Sequence, residues 1–247
     1  MPGNHGSGLV RVYPDLEALS YAAATLTVHL AMEAVAARGR FGVALSGGNT
    51  PRRAYEILGQ PHFREQAPWD RIHVFWGDER CVPLADPRSN ARMAREAWLD
   101  QVPIPRDQVH PIECSVSPEM AAAQYETLLK SSFGRGATGL DLVLLGLGED
   151  GHTASLFPGT PVVRELTRWV APVYLAEPGL NRVTLTAPFI NQAAVAVFLV
   201  AGPAKAGVLH EVLHGPYDPD RLPAQLIRPK SGELLWLVDR EAAAELG

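Results

Sequence analysis

The stretch LDLVLLGLGEDGHTASLFPG, Leu140 to Gly159, opens with an apolar run interrupted only by Asp141 and then bends through three glycines. A run of that length and composition suits a strand buried on both faces, as strands of parallel sheets are. Its carboxyl end delivers Asp150 and His152. In open α/β sheets, reactive groups gather just beyond the carboxyl ends of the strands, so an acid and an imidazole placed there are candidates for chemistry.

Three plainer readings compete. Gly146, Gly148 and Gly151 match G-x-G-x-x-G literally. The dinucleotide fingerprint, however, needs a long helix after its last glycine, and Pro158 and Gly159 stop a helix here after about two turns. Glu149 and Asp150 would also stand where a pyrophosphate needs bare amides. A core histidine with a satisfied hydrogen bond is the second alternative, and the polar, glycine-lined surroundings of His152 argue against it. A metal site is the third. No second histidine lies at ligand spacing and H-E-x-x-H is missing, so no metal is expected.

Outward from this stretch, strands alternate with helices. Val10 to Val12 reads as an edge strand, and Asp15 is placed to cap a helix through about Arg38, with Leu16, Leu19, Ala23, Leu26, Leu30 and Val35 on its inner face. Phe41 to Leu45 is a short strand running into Ser46, Gly47, Gly48, Asn49 and Thr50, and Pro51 suits the first position of a helix to Leu58. A glycine loop at a helix N-terminus leaves N–H groups free and is a ready anion site. Asp70 to Trp76 is a further strand, followed by Asp78, Glu79 and Arg80, then by Ser89, Asn90 and a helix from about Ala91 to Leu99.

The span Gln101 to Pro118 reads as a connection or small lobe with one strand, Val109 to Ile112. Ser117 caps a helix over Met120 to Phe133 that ends at Gly134 and Gly136. Trp169 to Tyr174, Arg182 to Thr186 (after Pro178 and Gly179) and Val195 to Val200 are strand-like; Leu222 to Ile227 and Leu234 to Val238 close the sheet before a short helix. Lys205 falls in the first turn of a helix to about Leu213, where a cation opposes the macrodipole unless an anion is bound nearby. The expected architecture is a parallel-rich α/β sheet with helices on both faces.

The chain has 247 residues, is 47% hydrophobic and carries a net charge of −5 from 22 basic and 27 acidic residues. It has no basic stripe, so nucleic acid is not an expected partner, and an anionic ligand must be held by a few local cations. Cys81 and Cys114 form no C-x-x-C and suggest no disulfide framework, which makes a reducing compartment the default. The start MPGNHGSGLVRVYPD looks disordered and lacks an apolar leader core, and no apolar run approaches the ~20 residues of a membrane span. A cytoplasmic protein without membrane contact is expected.

Five pieces, ALSGGNTP (Ala44 to Pro51), WGDERCVP (Trp76 to Pro83) with Ser89 and Asn90, LLGLGEDGHTASLFPG (Leu144 to Gly159), NRVTLT (Asn181 to Thr186) and GPAKA (Gly202 to Ala206), together resemble the 6-phosphogluconolactonases. They fall in the family's order and span most of the chain. The resemblance implies a Rossmann-like fold of the glucosamine-6-phosphate deaminase type over one domain, residues 1–247, and hydrolysis of 6-phosphoglucono-δ-lactone to 6-phosphogluconate in the oxidative pentose phosphate pathway. It implies no cofactor, a phosphorylated sugar lactone as the ligand, and a monomer or weak homodimer. The related deaminases carry a glutamate for ring opening where this chain has Phe157, and read D-E-Y where it has Gly77 to Arg80 as G-D-E-R. A deaminase and a non-catalytic sugar-phosphate sensor are the alternatives.

On this reading His152 is the general base, oriented by Asp150 or a backbone carbonyl. Amides near Gly47 and Gly48, or Arg80, hold the oxyanion. The phosphate falls to Arg182 and Lys205 with Arg80 and the Asn49 and Thr50 amides, and Asp78 holds substrate hydroxyls or structure. A serine nucleophile at Ser46 is disfavoured, because Ala44 stands where the nucleophile elbow needs its first glycine.

Overall fold

A computed structural model describes residues 8–134, 139–175 and 181–247. The start of the chain before Gly8, Gly136, and Pro178 with Gly179 lie outside the described residues. In chain order the elements are β1 (Leu9–Tyr13), α1 (Leu16–Arg38), β2 (Phe41–Leu45), α2 (Asn49–Leu58), α3 (Pro61–Arg64), β3 (Ile72–Trp76), β4 (Asp78–Arg80) and α4 (Asn90–Ala97). Then come α5 (Pro118–Phe133), β5 (Leu142–Gly146), β6 (Val170–Val173), β7 (Arg182–Leu185), α6 (Ala187–Ile190), β8 (Val195–Val200), α7 (Ala206–His214) and β9 (Glu233–Asp239).

Six strands form one wholly parallel sheet in the order β1-β9-β8-β5-β2-β3. Every residue of β2 and of β8 is buried, so both faces of the sheet are covered, which is why these strands read as unbroken apolar runs. Asp141, the exception in its run, stands just before β5. Its carboxylate accepts from the Gly42 N–H at 2.7 Å and from Arg38 at 2.5 Å, tying β5 to β2 and to the end of α1.

The chain leaves β2 outward to β3, then returns to place β5 on the other side of β2 before moving out through β8 and β9. The reversal makes the β2/β5 boundary a topological switch point, where diverging loops open a crevice at the carboxyl ends of the strands.

Local signals set the helix ends. Asp15 Oδ1 accepts from the Ala18 N–H at 2.8 Å, and Gly39 closes α1 with φ +75°. The buried face of α1 is centred on Ala24, Thr27, Val28 and Ala31, while Leu16, Leu26, Leu30 and Val35 are only partly covered. Small side chains let the helix lie close to the sheet. By length and composition α1 could also cross a membrane, but it is packed as a core helix here. Ser89 and Ser117 cap α4 and α5 through their hydroxyls.

Several expectations are corrected. Asp78 to Arg80, expected only to follow the end of a strand, is itself β4, the edge of a second, antiparallel sheet β4-β7-β6 that also takes in the Trp169 and Arg182 segments. Neither Val109 to Ile112 nor Leu222 to Ile227 forms a strand: the first makes a single bridge from Val109 to Val74, the second a 3₁₀ turn over Pro223–Leu226. Nor does 101–118 form a strand of its own lobe. β9 lies inside the sheet between β8 and β1, and turns rather than a helix follow it. Proline 51 is the third residue of α2 rather than the first, because Gly48 caps the helix. No helix forms between Leu147 and Gly159.

At the opposite end of β3 from the crevice, His73 and His110 stack with ring planes 4° apart, and His110 also stacks on Phe75. Burial pushes both imidazoles below their ordinary value, and Arg40 beside His73 and the mutual repulsion of the two rings add to it. An unfolded chain therefore takes up protons near pH 6.5 that the fold resists, so stability is full above that pH and is lost as pH falls toward the depressed folded values. Urea unfolding at pH 7.5 and 5.5 should show a smaller acid loss in His73→Phe than in the wild type; equal losses would remove the pair as the cause.

Candidate active site

The crevice at the switch point is a cleft of about 550 Å³. The loop after β2 supplies Ser46 to Pro51, the loop after β5 supplies Gly146 to Glu149 and His152, the second sheet supplies Asp78, Arg80 and Arg182, and the loop after β8 supplies Lys205. Of the ten expected site residues, Gly47, Gly48, Asn49, Thr50, Asp78, Arg80, His152, Arg182 and Lys205 all line it. Asp150 stands outside the lining but in contact with His152: its Oδ1 lies 2.5 Å from His152 Nδ1 and accepts from the His152 backbone N–H at 3.2 Å.

Burial pushes the Asp150 carboxyl up, but the hydrogen bonds and charge of His152 outweigh it and hold the group below its ordinary value. A carboxylate only accepts, so Nδ1 carries the hydrogen, and in the neutral ring the lone pair stands on Nε2. The loop that achieves this needs glycine at 148: a Cβ there would lie 2.1 Å from His152 Nδ1 and 2.6 Å from Asp150 Oδ1. Thr153 Oγ1 ties the turn back to the Gly146 carbonyl at 2.8 Å, and Ala154 takes φ +49°, a left-handed conformation that side chains resist. Phe157 covers one side of the imidazole, with ring centroids 4.4 Å apart.

On the facing wall, Gly48 caps α2 with φ +102°, and among the described residues no side chain caps the first-turn N–H groups, which leaves them available to an anion. The Ser46 main chain is clamped from behind by Tyr55, whose hydroxyl accepts from Ser46 N–H and donates to Ser46 O, both at 3.0 Å. The Ser46 hydroxyl itself is buried and has no hydrogen-bond partner among the described residues. Gly47 is required by close approach, since a Cβ would fall 2.0 Å from Asn90 Oδ1.

The two carboxylates of the G-D-E-R segment divide their work. Asp78 faces the cleft, its Oδ2 accepting from Ser155 Oγ at 2.6 Å and its Oδ1 from Asn90 Nδ2 at 3.3 Å. Glu79 turns inward and accepts from the N–H groups of Arg80, Asn90 and Ala91 and from Ser89 Oγ, at 2.7–3.0 Å. Burial raises its carboxyl above the ordinary value despite these four bonds. Ser155, Asn90 and Glu79 are the support that sequence reasoning did not assign; the Ser89–Asn90 pair was their one local sign.

Arg80 and Arg182 are direct cross-strand partners of β4 and β7. Like charges so placed repel. Burial, then Arg80, depress the Arg182 guanidinium, with Asp78 and Glu79 opposing. Lys205 ends a 3₁₀ turn and precedes α7, facing Glu149 across the cleft mouth at 3.7 Å. Three cations thus line one cleft, and a dianion beside Arg80 and Arg182 would relieve the repulsion of that pair. Among the described residues no three His, Cys, Asp or Glu side chains gather as a metal site.

The residue after Arg80 overturns one expectation: Cys81 and Cys114 are joined by a disulfide, their Cα atoms 4.9 Å apart across a sequence separation of 33. Only the fold brings them together. Closing a loop of that length contributes about 2–4 kcal/mol. Reduction, or Cys114→Ser, is therefore expected to lower the chemical-denaturation midpoint; an unchanged midpoint would show that the bond adds nothing.

Similarity to known proteins gives the family of the chain. The model of the family described as glucosamine-6-phosphate isomerases/6-phosphogluconolactonase matches residues 14–236. A 6-phosphogluconolactonase of Synechocystis sp. is 47% identical over 87% of this chain and 88% of its own, and one of Nostoc sp. is 43% identical over 96% and 98%. The solved 6-phosphogluconolactonase of Trypanosoma brucei superposes with a TM-score of 0.85 at 30% identity, covering 98% of this chain and 100% of that one. A monomeric glucosamine-6-phosphate deaminase shares the fold, with a TM-score of 0.81 at 23% identity. The chain belongs to the glucosamine-6-phosphate isomerase/6-phosphogluconolactonase family.

Proposed function

We propose that this chain hydrolyses 6-phosphoglucono-δ-lactone to 6-phosphogluconate, with His152 as general base. The observation that carries the reading is the Asp150–His152 contact of 2.5 Å in a cleft that also holds Arg80, Arg182 and Lys205. The neutral imidazole takes a proton from water as the water oxygen attacks the lactone carbonyl carbon. The carbonyl oxygen becomes an oxyanion, held by the Gly47 and Gly48 amides. Collapse breaks the bond to the ring oxygen, which receives the proton from His152, and the new acid ionises.

Arg80, Arg182, Lys205 and the Asn49 and Thr50 amides grip the remote phosphate and so orient the ring for attack. Asp78, fixed by Ser155 and Asn90, faces the sugar hydroxyls. Against a deaminase stands Phe157, which leaves the position of the ring-opening acid with hydrocarbon. Residues 1–247 act as one domain, a monomer or weak homodimer in the cytoplasm, binding neither nucleic acid nor membrane. In a reducing cytoplasm Cys81 and Cys114 would stand as two thiols.

The test is hydrolysis of freshly generated lactone above its spontaneous rate, with ammonia release from glucosamine 6-phosphate as control. Turnover of the lactone alone is expected. Ammonia without lactone turnover would move the chain to deaminase chemistry, and inertness toward both would leave a sensor.

A further inference from the structure

Glu149 lies between two parts of the machinery, in the loop that carries Asp150 and His152 and within 3.7 Å of Lys205. Its side chain is 70% exposed, that of Lys205 only 23%. Both border the cleft, and among the described residues Glu149 is the carboxylate paired with Lys205. An exposed, long ion pair of this kind adds little to the fold. Its position has a consequence for ligands instead.

Opening the lactone turns an uncharged ring ester into a carboxylate, so the product carries one more negative charge than the substrate while both keep the phosphate. An anion at the cleft mouth acts more strongly on the ligand with the extra charge. It also occupies the cation that the phosphate needs. We infer that Glu149 is a specificity-determining residue that weakens the cleft's hold on the anionic product relative to the lactone, holding Lys205 between turnovers and repelling the newly formed carboxylate. The inference rests on Lys205 being a phosphate ligand.

Such a device suits a site lined by three cations. Arg80, Arg182 and Lys205 without a counter-charge would bind the more anionic product more tightly than the substrate, and release would limit turnover. Glu149 counters that bias without touching the reacting atoms.

The test compares Glu149→Gln, Glu149→Asp, Lys205→Met and the Glu149→Gln/Lys205→Met double variant. KM for the lactone and the inhibition constant of 6-phosphogluconate are measured at 0.05 and 0.5 M salt. Glu149→Gln should lower KM about two- to fivefold, the range open to one exposed charge pair, and lower the product constant further. Both effects should shrink at high salt and be absent in Glu149→Asp. In the Lys205→Met background the drop in KM should vanish, since no pair remains to break.

The failures separate. Lys205→Met with KM and product inhibition unchanged would remove Lys205 from the phosphate site, and the inference with it. Lys205→Met raising both constants while Glu149→Gln moves neither, or moves them equally, would overturn the role of Glu149 alone.

Discussion

Replacing His152 with alanine is expected to lower kcat for lactone hydrolysis by about 10²–10⁴-fold while leaving KM within a few-fold, because a positioned base acts in the transition state and not in ground-state binding. The ring lines the cleft without belonging to the cation cluster, so its loss should spare phosphate binding. Asp150→Asn is the sharper variant. The amide can donate as well as accept, so it no longer dictates which ring nitrogen carries the hydrogen; the lone pair can then turn to Nδ1, away from the substrate. A loss of order 10²–10⁴ with an unchanged Tm is expected for Asp150→Asn. Steady-state kinetics and a thermal melt suffice: wild-type turnover in His152→Ala would end its role as base, and full activity in Asp150→Asn would leave the tautomer to another group.

The second large effect belongs to Arg182. Loss of a hydrogen bond to a charged phosphate costs about 1.5–3 kcal/mol, which is roughly 10- to 150-fold in kcat/KM. Arg182→Gln should show this mostly as a rise in KM, with some fall in kcat because the phosphate orients the ring. The same change removes one of two like charges placed directly opposite each other in β4 and β7. Stability should therefore hold or rise as activity falls, the sign expected of a site whose repulsion is kept for its ligand. An equal fall in stability and activity would mean that Arg182 is held for the fold, and unchanged kinetics would take it out of the site.

Much of this was legible because the chemistry is local. The apolar runs of β2, β5 and β8, the Asp15 and Ser117 caps and the glycine stop at 39 each depend on a few adjacent residues. So does the loop from Gly146 to His152: the spacing of an aspartate two residues before a histidine is enough to let the two side chains meet. The errors lie where partners are distant. Asp78 to Arg80 has the composition of a turn, and becomes a strand only because β7 pairs with it about a hundred residues later. Conversely, Leu222 to Ile227 is apolar enough for a strand but folds as a 3₁₀ turn over Pro223–Leu226, where Pro223 has no N–H to give to a ladder.

Periodicity and capping are properties of neighbours in the chain, so residue order alone settles where the core strands β2, β5 and β8 and the capped helices α1 and α5 lie and which loops carry acids, bases and glycines. Adjacency across the sheet is different, because it is decided by the packing free energy of the whole core. The reversal at β2 and β5 that opens the cleft, the Arg80–Arg182 juxtaposition, the inward turn of Glu79 and the meeting of Cys81 with Cys114 exist only once that core has formed.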